Sequence, residues 1–341
     1  MGMNNYNRVM LRLFGLRQFF LWIFLFFLLS GSSASSDDSS GSFSLPRLGL
    51  GTAGLRARTE TLVNYSLNFG VRLIDTAQAM EWYDEAAVAR AVKAFTSKQS
   101  ASEAVTNPVV IVTKIHPRSF EYEKMEPKVA ESVRNFGSHG VDVMLLHSSR
   151  CWEGHCTAEE EAVSWKEGWS NLEVLKDQYG LAMIGVSNFD ISLLEELVLH
   201  HANRKVAVVQ NWMDPFHQDR AVREFCRDHG IQYMAYSSFG TQWFSRRENP
   251  VLTSSVLQAI ADRHDASIPQ VVLSWLATED VVAIPRASRT VHLTENFAAC
   301  SSRSSDLCRK NGERPEPLVR LTAEDLEAIR ALDGTIGEPW D

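Results

Sequence analysis

No predicted helix in this chain opens on a G-x-G-x-x-G turn, which argues against an open, doubly wound dinucleotide-binding sheet. A basic stripe is also missing. The 34 Lys and Arg residues face 42 Asp and Glu, a formal net charge of −8, so a nucleic-acid partner is not expected. The N-terminal apolar run, Phe19 to Leu29, falls short of the roughly 20 residues that span a bilayer. The five cysteines show no C-x-x-C spacing, so no metal site is expected, although His147, Cys151, His155 and Cys156 lie close enough in sequence to imitate one.

With 45% apolar and 22% charged residues, the composition is that of an ordinary globular protein. Arg8, Arg12 and Arg17 precede the apolar run, and Ser32 and Ala34 suit cleavage after Ala34. Residues 1–34 therefore read as a secretory signal peptide, or as an uncleaved signal anchor if the flanking Leu16 and Trp22 region is used more fully. Residues 35–44, rich in Ser and Asp, read as a solvated linker, and 45–341 as the folded unit. This start points to the secretory pathway (ER lumen, membrane-anchored or secreted) or to an organelle reached through such a signal. Any membrane association would run through that segment alone. The close pairs Cys151/Cys156 and Cys300/Cys308 suit disulfides in an oxidising compartment, leaving Cys226 as a thiol on an apolar helix face.

From Leu45 onward, apolar runs alternate with amphipathic stretches. Strands are expected near Leu48–Ala53, Val71–Ala77, Val109–Ile115, Val141–His147, Met183–Phe189, Val206–Trp212, Gln232–Ser238 and Val281–Arg286. Helices such as Asp84–Phe95 and Leu193–His200 separate them. Continuous apolar runs mark strands buried on both faces, and eight β-then-α units close into a (β/α)8 TIM barrel more naturally than they stay open. Polar residues gather at the C-terminal tips, where such barrels place their chemistry. Asp75, Lys114, His147 and the pair Ser187-Asn188 occupy successive tips.

The ordered segments Leu48-Gly-Leu-Gly-Thr52, Val71-Arg-Leu-Ile-Asp75-Thr-Ala77, Ile111-Val-Thr-Lys114, Leu145-Leu-His147, Ile184-Gly-Val-Ser187-Asn188-Phe189, Val209-Gln210-Asn211, Ala235-Tyr236-Ser237 and Ile284-Pro-Arg286, followed by Glu295-Asn296, resemble the aldo-keto reductases. The resemblance implies a barrel enzyme that reduces a small aldehyde or ketone with NADPH. It also implies that Lys114 lowers the pKa of a tyrosine general acid, that Asp75 holds Lys114, and that His147 donates to the substrate carbonyl. In the family pattern the tyrosine follows the aspartate by five residues. Here that position is Met80, and the displaced helix start at Asp84-Glu85 implies a loop longer by about two residues, so Trp82 or Tyr83 falls at the expected place. Tyr83 is the choice, because tryptophan has no suitable proton.

The same resemblance assigns a cofactor set. Ser187, Asn188 and Gln210 would bind the nicotinamide carboxamide, and Tyr236 would stack on its ring. Thr52 belongs to the same set, and Ser237 and Gln242 would line the pyrophosphate. Arg286, Ser288 and His292 would meet the adenosine 2′-phosphate, and Glu295 and Asn296 the adenine. Trp152 alone is expected as a substrate wall; Trp165 and Trp169, at i, i+4 spacing, either line a substrate mouth or belong to the core. The opening hairpin of the family is reduced to about Phe43–Leu45, and a polar insertion occupies about 300–316. A monomer is expected. The alternatives are a non-catalytic nucleotide-binding or regulatory member of the same fold, and a barrel hydrolase that would need Asp214 beside Asp75.

Overall fold

The computed structural model describes residues 44–301, 308 and 318–337; the expected signal segment, most of the linker and most of the 300–316 insertion lie outside them. Eight parallel strands follow one another around the sheet: β1 (Leu50–Gly51), β2 (Leu73–Asp75), β3 (Val110–Ile115), β4 (Val143–Leu146), β5 (Met183–Ser187), β6 (Val208–Trp212), β7 (Gln232–Tyr236) and β8 (Val282–Ala283). A bridge between Leu48 and Ala283 brings the two ends together, with Gly49 N donating to Ala283 O at 2.9 Å and Ala283 N to Arg47 O at 2.8 Å. The outcome is the expected (β/α)8 barrel, each strand lying inside its predicted run. Every residue of β2 to β6 is buried, which is why these strands read as unbroken apolar segments rather than alternating ones.

Helix Glu85–Thr96 begins where Asp84 Oδ1 accepts from Ala87 N, and helix Ala323–Arg330 begins in a capping box formed by Thr322 and Asp325. The predicted 193–200 helix is α-helical over Ile191–Glu196 and π-helical over Leu197–His201. Trp165 and Trp169 are core residues, the latter donating from Nε1 to Glu173 at 2.8 Å. At the barrel floor Leu45 is buried and donates its amide to Gln232 Oε1 at 2.8 Å.

The reading that no α-helix opens on a G-x-G-x-x-G turn holds. The G-x-G-x-x-G spacing does occur, at Gly49, Gly51 and Gly54, but the α-helix that follows starts only at Thr59. Gly49 and Gly51 serve strand packing: a Cβ on Gly51 would lie 2.7 Å from Ile284 O, and one on Gly49 2.5 Å from the Leu73 side chain. The spacing is present while the phosphate-binding helix terminus that gives it meaning is not.

Candidate active site

Barrel register brings the charged strand tips together. Asp75 pairs with Val112, so Lys114, two residues further along β3, points to the same face. Lys114 Nζ donates to Asp75 Oδ1 and Oδ2 at 2.7 and 2.8 Å, and to Thr76 O at 2.9 Å. Gln210 Nε2 adds a fourth bond to the cluster, reaching Asp75 Oδ2 at 2.8 Å. Burial pushes Asp75 up and Lys114 down, each against the attraction of the other.

The lengthened loop after β2 makes a helical turn in which Tyr83 N donates to Ala79 O at 2.9 Å. The turn turns Met80 outward, where it is 91% exposed, and brings Tyr83 to the cavity wall. The Gly54 amide holds the Trp82 carbonyl at 2.6 Å, and Arg118 Nη2 holds Glu81 at 2.6 Å. Lys114 Nζ lies 5.1 Å from the Tyr83 ring centroid, and the Tyr83 and His147 rings meet edge to face at 5.8 Å. The expected lowering of the tyrosine pKa is not found. Burial, followed by the charge of Asp75 and by Tyr236, pushes the phenol well above its ordinary 10, while Lys114 donates to Asp75 and Thr76. The Tyr83 hydroxyl has no hydrogen-bond partner among the described residues.

His147, at the tip of β4, is buried, and burial followed by Lys114 and His116 holds its imidazole well below 6.5, so it is neutral. Its Nδ1 is buried without a partner. Tyr83, His147, Asp75, Trp82, Trp152, Ser187, Asn188 and Gln210 line one cavity of about 540 Å³ that continues past Tyr236, Ser237 and Gln242 to Arg286. Asn188 and Ser237, at the tips of β5 and β7, hold left-handed φ values of 58° and 57°, a local strain typical of binding sites.

The cofactor set divides. Gln210 is engaged by Asp75 and Met234, and the Asn188 amide donates to His147 O at 2.8 Å while its Oδ1 accepts from Tyr236 at 2.6 Å. Ser237 Oγ accepts from Gln242 at 3.2 Å. Thr52 does not line the cavity; it is fully buried, and its hydroxyl donates to Asp75 O at 2.8 Å across β1 and β2. Arg286 is an exposed cavity residue beside Gly54, whereas Ser288, His292, Glu295 and Asn296 lie off the lining. His292 instead faces Glu295 at 3.7 Å, and Asn296 is buried. Short polar groups near a strand tip do not reveal in sequence which of them reach a ligand.

Asp214 is not a second cavity carboxylate. It is buried and accepts from the Trp212 and Trp243 indoles at 3.0 and 2.7 Å, so the hydrolase alternative loses its second acid. The cysteines pair as expected, Cys151 with Cys156 and Cys300 with Cys308, with Cys226 buried and free. A ring nitrogen of His116 and the sulfurs of Cys151 and Cys156 lie within 4.8 Å of one another, but disulfide-bonded sulfurs do not serve as thiolate ligands. Sequence reading missed His116, two residues beyond Lys114 and thus within reach of the same barrel mouth. It also missed Phe239, Asn249, Leu252 and Pro285, which complete the lining from the loops after β7 and β8.

Residues 47–307 match the model of the aldo/keto reductase family. The chain is 30% identical over 290 residues to methylglyoxal reductase DkgB of Salmonella typhi, covering 85% of this chain and 93% of that protein. It is 31% identical over 255 residues to the 9,11-endoperoxide prostaglandin H2 reductase of Trypanosoma cruzi, covering 74% and 81%. The aldose reductase structure from Giardia lamblia superposes with a TM-score of 0.70 at 26% identity, covering 84% of this chain and 92% of that one.

Proposed function

Since the chain belongs to the aldo/keto reductase family, we propose that it reduces a small aldehyde or ketone to the alcohol, with NADPH as reductant. The observation that carries this reading is the convergence of Tyr83, neutral His147 and Asp75 on one cavity, with Lys114 held behind its wall by Asp75. The residues present suit the cofactor: Tyr236 offers a ring, Ser187 and Asn188 offer polar groups beside it, and Arg286 offers a fork for a phosphate at the far end. When bound, NADPH supplies the hydride to the carbonyl carbon.

The protein's own residues handle the oxygen. His147, being neutral, retains one N–H to orient the carbonyl, and Tyr83 carries the proton that the developing alkoxide takes. An alkoxide is a far stronger base than a phenolate, so the transfer runs forward even with the phenol pKa raised. Lys114, held by Asp75, keeps positive charge beside the phenolate that remains.

The test is consumption of NADPH with a panel of small aldehydes, read by loss of reduced-nicotinamide absorbance. Tyr83→Phe is expected to lower kcat by about 10²–10⁴-fold while NADPH still quenches tryptophan fluorescence with unchanged affinity. A chain that binds NADPH and reduces no carbonyl belongs to the non-catalytic alternative. The two disulfides agree with delivery of the chain to an oxidising compartment, and that location belongs to the same proposal.

A further inference from the structure

Between β4 and the next helix, the disulfide Cys151–Cys156 closes a short loop that carries Trp152 and His155. Both rings take part in an aromatic cluster at the cavity mouth. Trp152 meets His147 at 4.9 Å, His116 at 5.2 Å and Trp82 at 5.5 Å between centroids, and His155 meets Trp82 at 4.8 Å. Within the loop, His155 N donates to Trp152 O at 3.0 Å, and Gly154 turns with φ of 75°. Trp82 and Trp152 both line the cavity. The loop thus contributes a wall of the cavity beside His147 and Trp82, and the disulfide closes the loop that carries it.

A cross-link of five-residue separation constrains the unfolded chain less than a long-range one does, so its main effect is local. Its surroundings also favour opening. His116 is buried; its Nδ1 accepts from Arg118 N and Nε at 3.1 and 3.0 Å, so in the neutral ring the proton sits on Nε2, which is buried with no partner. A ring nitrogen of His116 and both sulfurs lie within 4.8 Å of one another, so a thiolate formed on opening needs only a small shift to accept from the unpartnered Nε2–H. Stabilising the reduced form makes a disulfide easier to reduce. Cys151 and Cys156 are half-buried, so small thiols can reach them.

Resting on the reductase reading above, we propose that the Cys151–Cys156 disulfide is a redox latch on the Trp152 wall of the cavity. Reduction by an external dithiol transfers two electrons to the S–S bond, which breaks into two thiols while the dithiol closes to its own disulfide. The freed loop lets Trp152 leave His147 and Trp82, and the cavity then admits bulkier carbonyls.

The test compares oxidised enzyme, dithiothreitol-treated enzyme and a Cys151→Ser/Cys156→Ser variant. With NADPH, the ratio of kcat/KM for phenylglyoxal over methylglyoxal is expected to rise about tenfold in both opened forms, the scale on which pocket walls discriminate. Trp152→Ala, with the disulfide intact, is expected to reproduce the rise without any response to dithiothreitol. Without substrate, acrylamide quenching of tryptophan fluorescence should increase on reduction in the native protein and not in Trp152→Ala. An active enzyme whose ratio is unchanged on opening, or a native protein whose quenching is unchanged, overturns the latch while leaving the reductase reading intact. If no form consumes NADPH with any carbonyl, the reductase reading fails and takes the selection with it.

Discussion

Burial holds the His116 imidazole down at about 4, below its ordinary 6.5, and pushes the Asp214 carboxyl from 3.8 up to about 6. The two act on stability in opposite directions. Between about 4 and 6.5 the unfolded chain binds the His116 proton that the folded chain rejects, so this group makes stability climb as pH rises. Between 3.8 and about 6 the folded chain binds a proton on Asp214 that the unfolded chain has released, so this group makes stability decline as pH rises. Each can change the slope by up to about 1.4 kcal/mol per pH unit. Urea unfolding from pH 4 to 7 should show a flatter climb for His116→Gln than for the native protein, and a steeper one for Asp214→Asn. Identical slopes in all three would remove the burial assigned to these groups.

Among the strands, β5 and β6 approach so closely that a side chain at Gly185 has no room. A Cβ there would lie 2.0 Å from Val208 O and 2.9 Å from Leu145 Cδ2. The strand pair carries Ser187, Asn188 and Gln210 at its tips, with Ser187 in register with Gln210. Gly185→Ala is therefore expected to destabilise by about 1–3 kcal/mol and to disturb the site as well. Thermal unfolding together with NADPH affinity checks both consequences. A fully stable Gly185→Ala protein would mean that the strands can separate at little cost. The same scale explains the helix entries: Asp84, Asp190 and Thr322 each accept a backbone N–H of the first turn, and each stands just before an amphipathic segment.

Across the whole molecule, the described residues from Ser44 onward form one compact unit, and ring closure gathers contributions from all eight strands. Among the described residues, no helix is long and apolar enough to cross a membrane. The proposed cofactor would tie the two sides of the ring together, touching the β5–β7 tips and Arg286 after β8. Ligand that binds only the folded form stabilises it by mass action, by about 2.7 kcal/mol at 100 times Kd. NADPH is thus expected to raise Tm more than NADH at equal concentration. Arg286→Ala should weaken NADPH about tenfold, near 1.4 kcal/mol, and leave NADH unaffected. Calorimetric titration of both nucleotides measures the difference, and equal losses for the two would show that Arg286 does not read the 2′-phosphate.

The eight strands, their order and the residues Asp75, Lys114 and His147 at their tips were legible from sequence alone. Runs buried on both faces leave a continuous apolar signature, and tip residues follow each run at a fixed place. Tyr83 was reachable through the displaced helix start at Asp84, since a cap marks where a loop ends. The folded ring alone decided which polar groups meet: that Thr52 turns inward to Asp75, that Asn188 bonds Tyr236, and that Lys114 has its protons engaged by Asp75 and Thr76. Those outcomes depend on distances between residues far apart in the chain, which local periodicity does not encode and the closed geometry imposes.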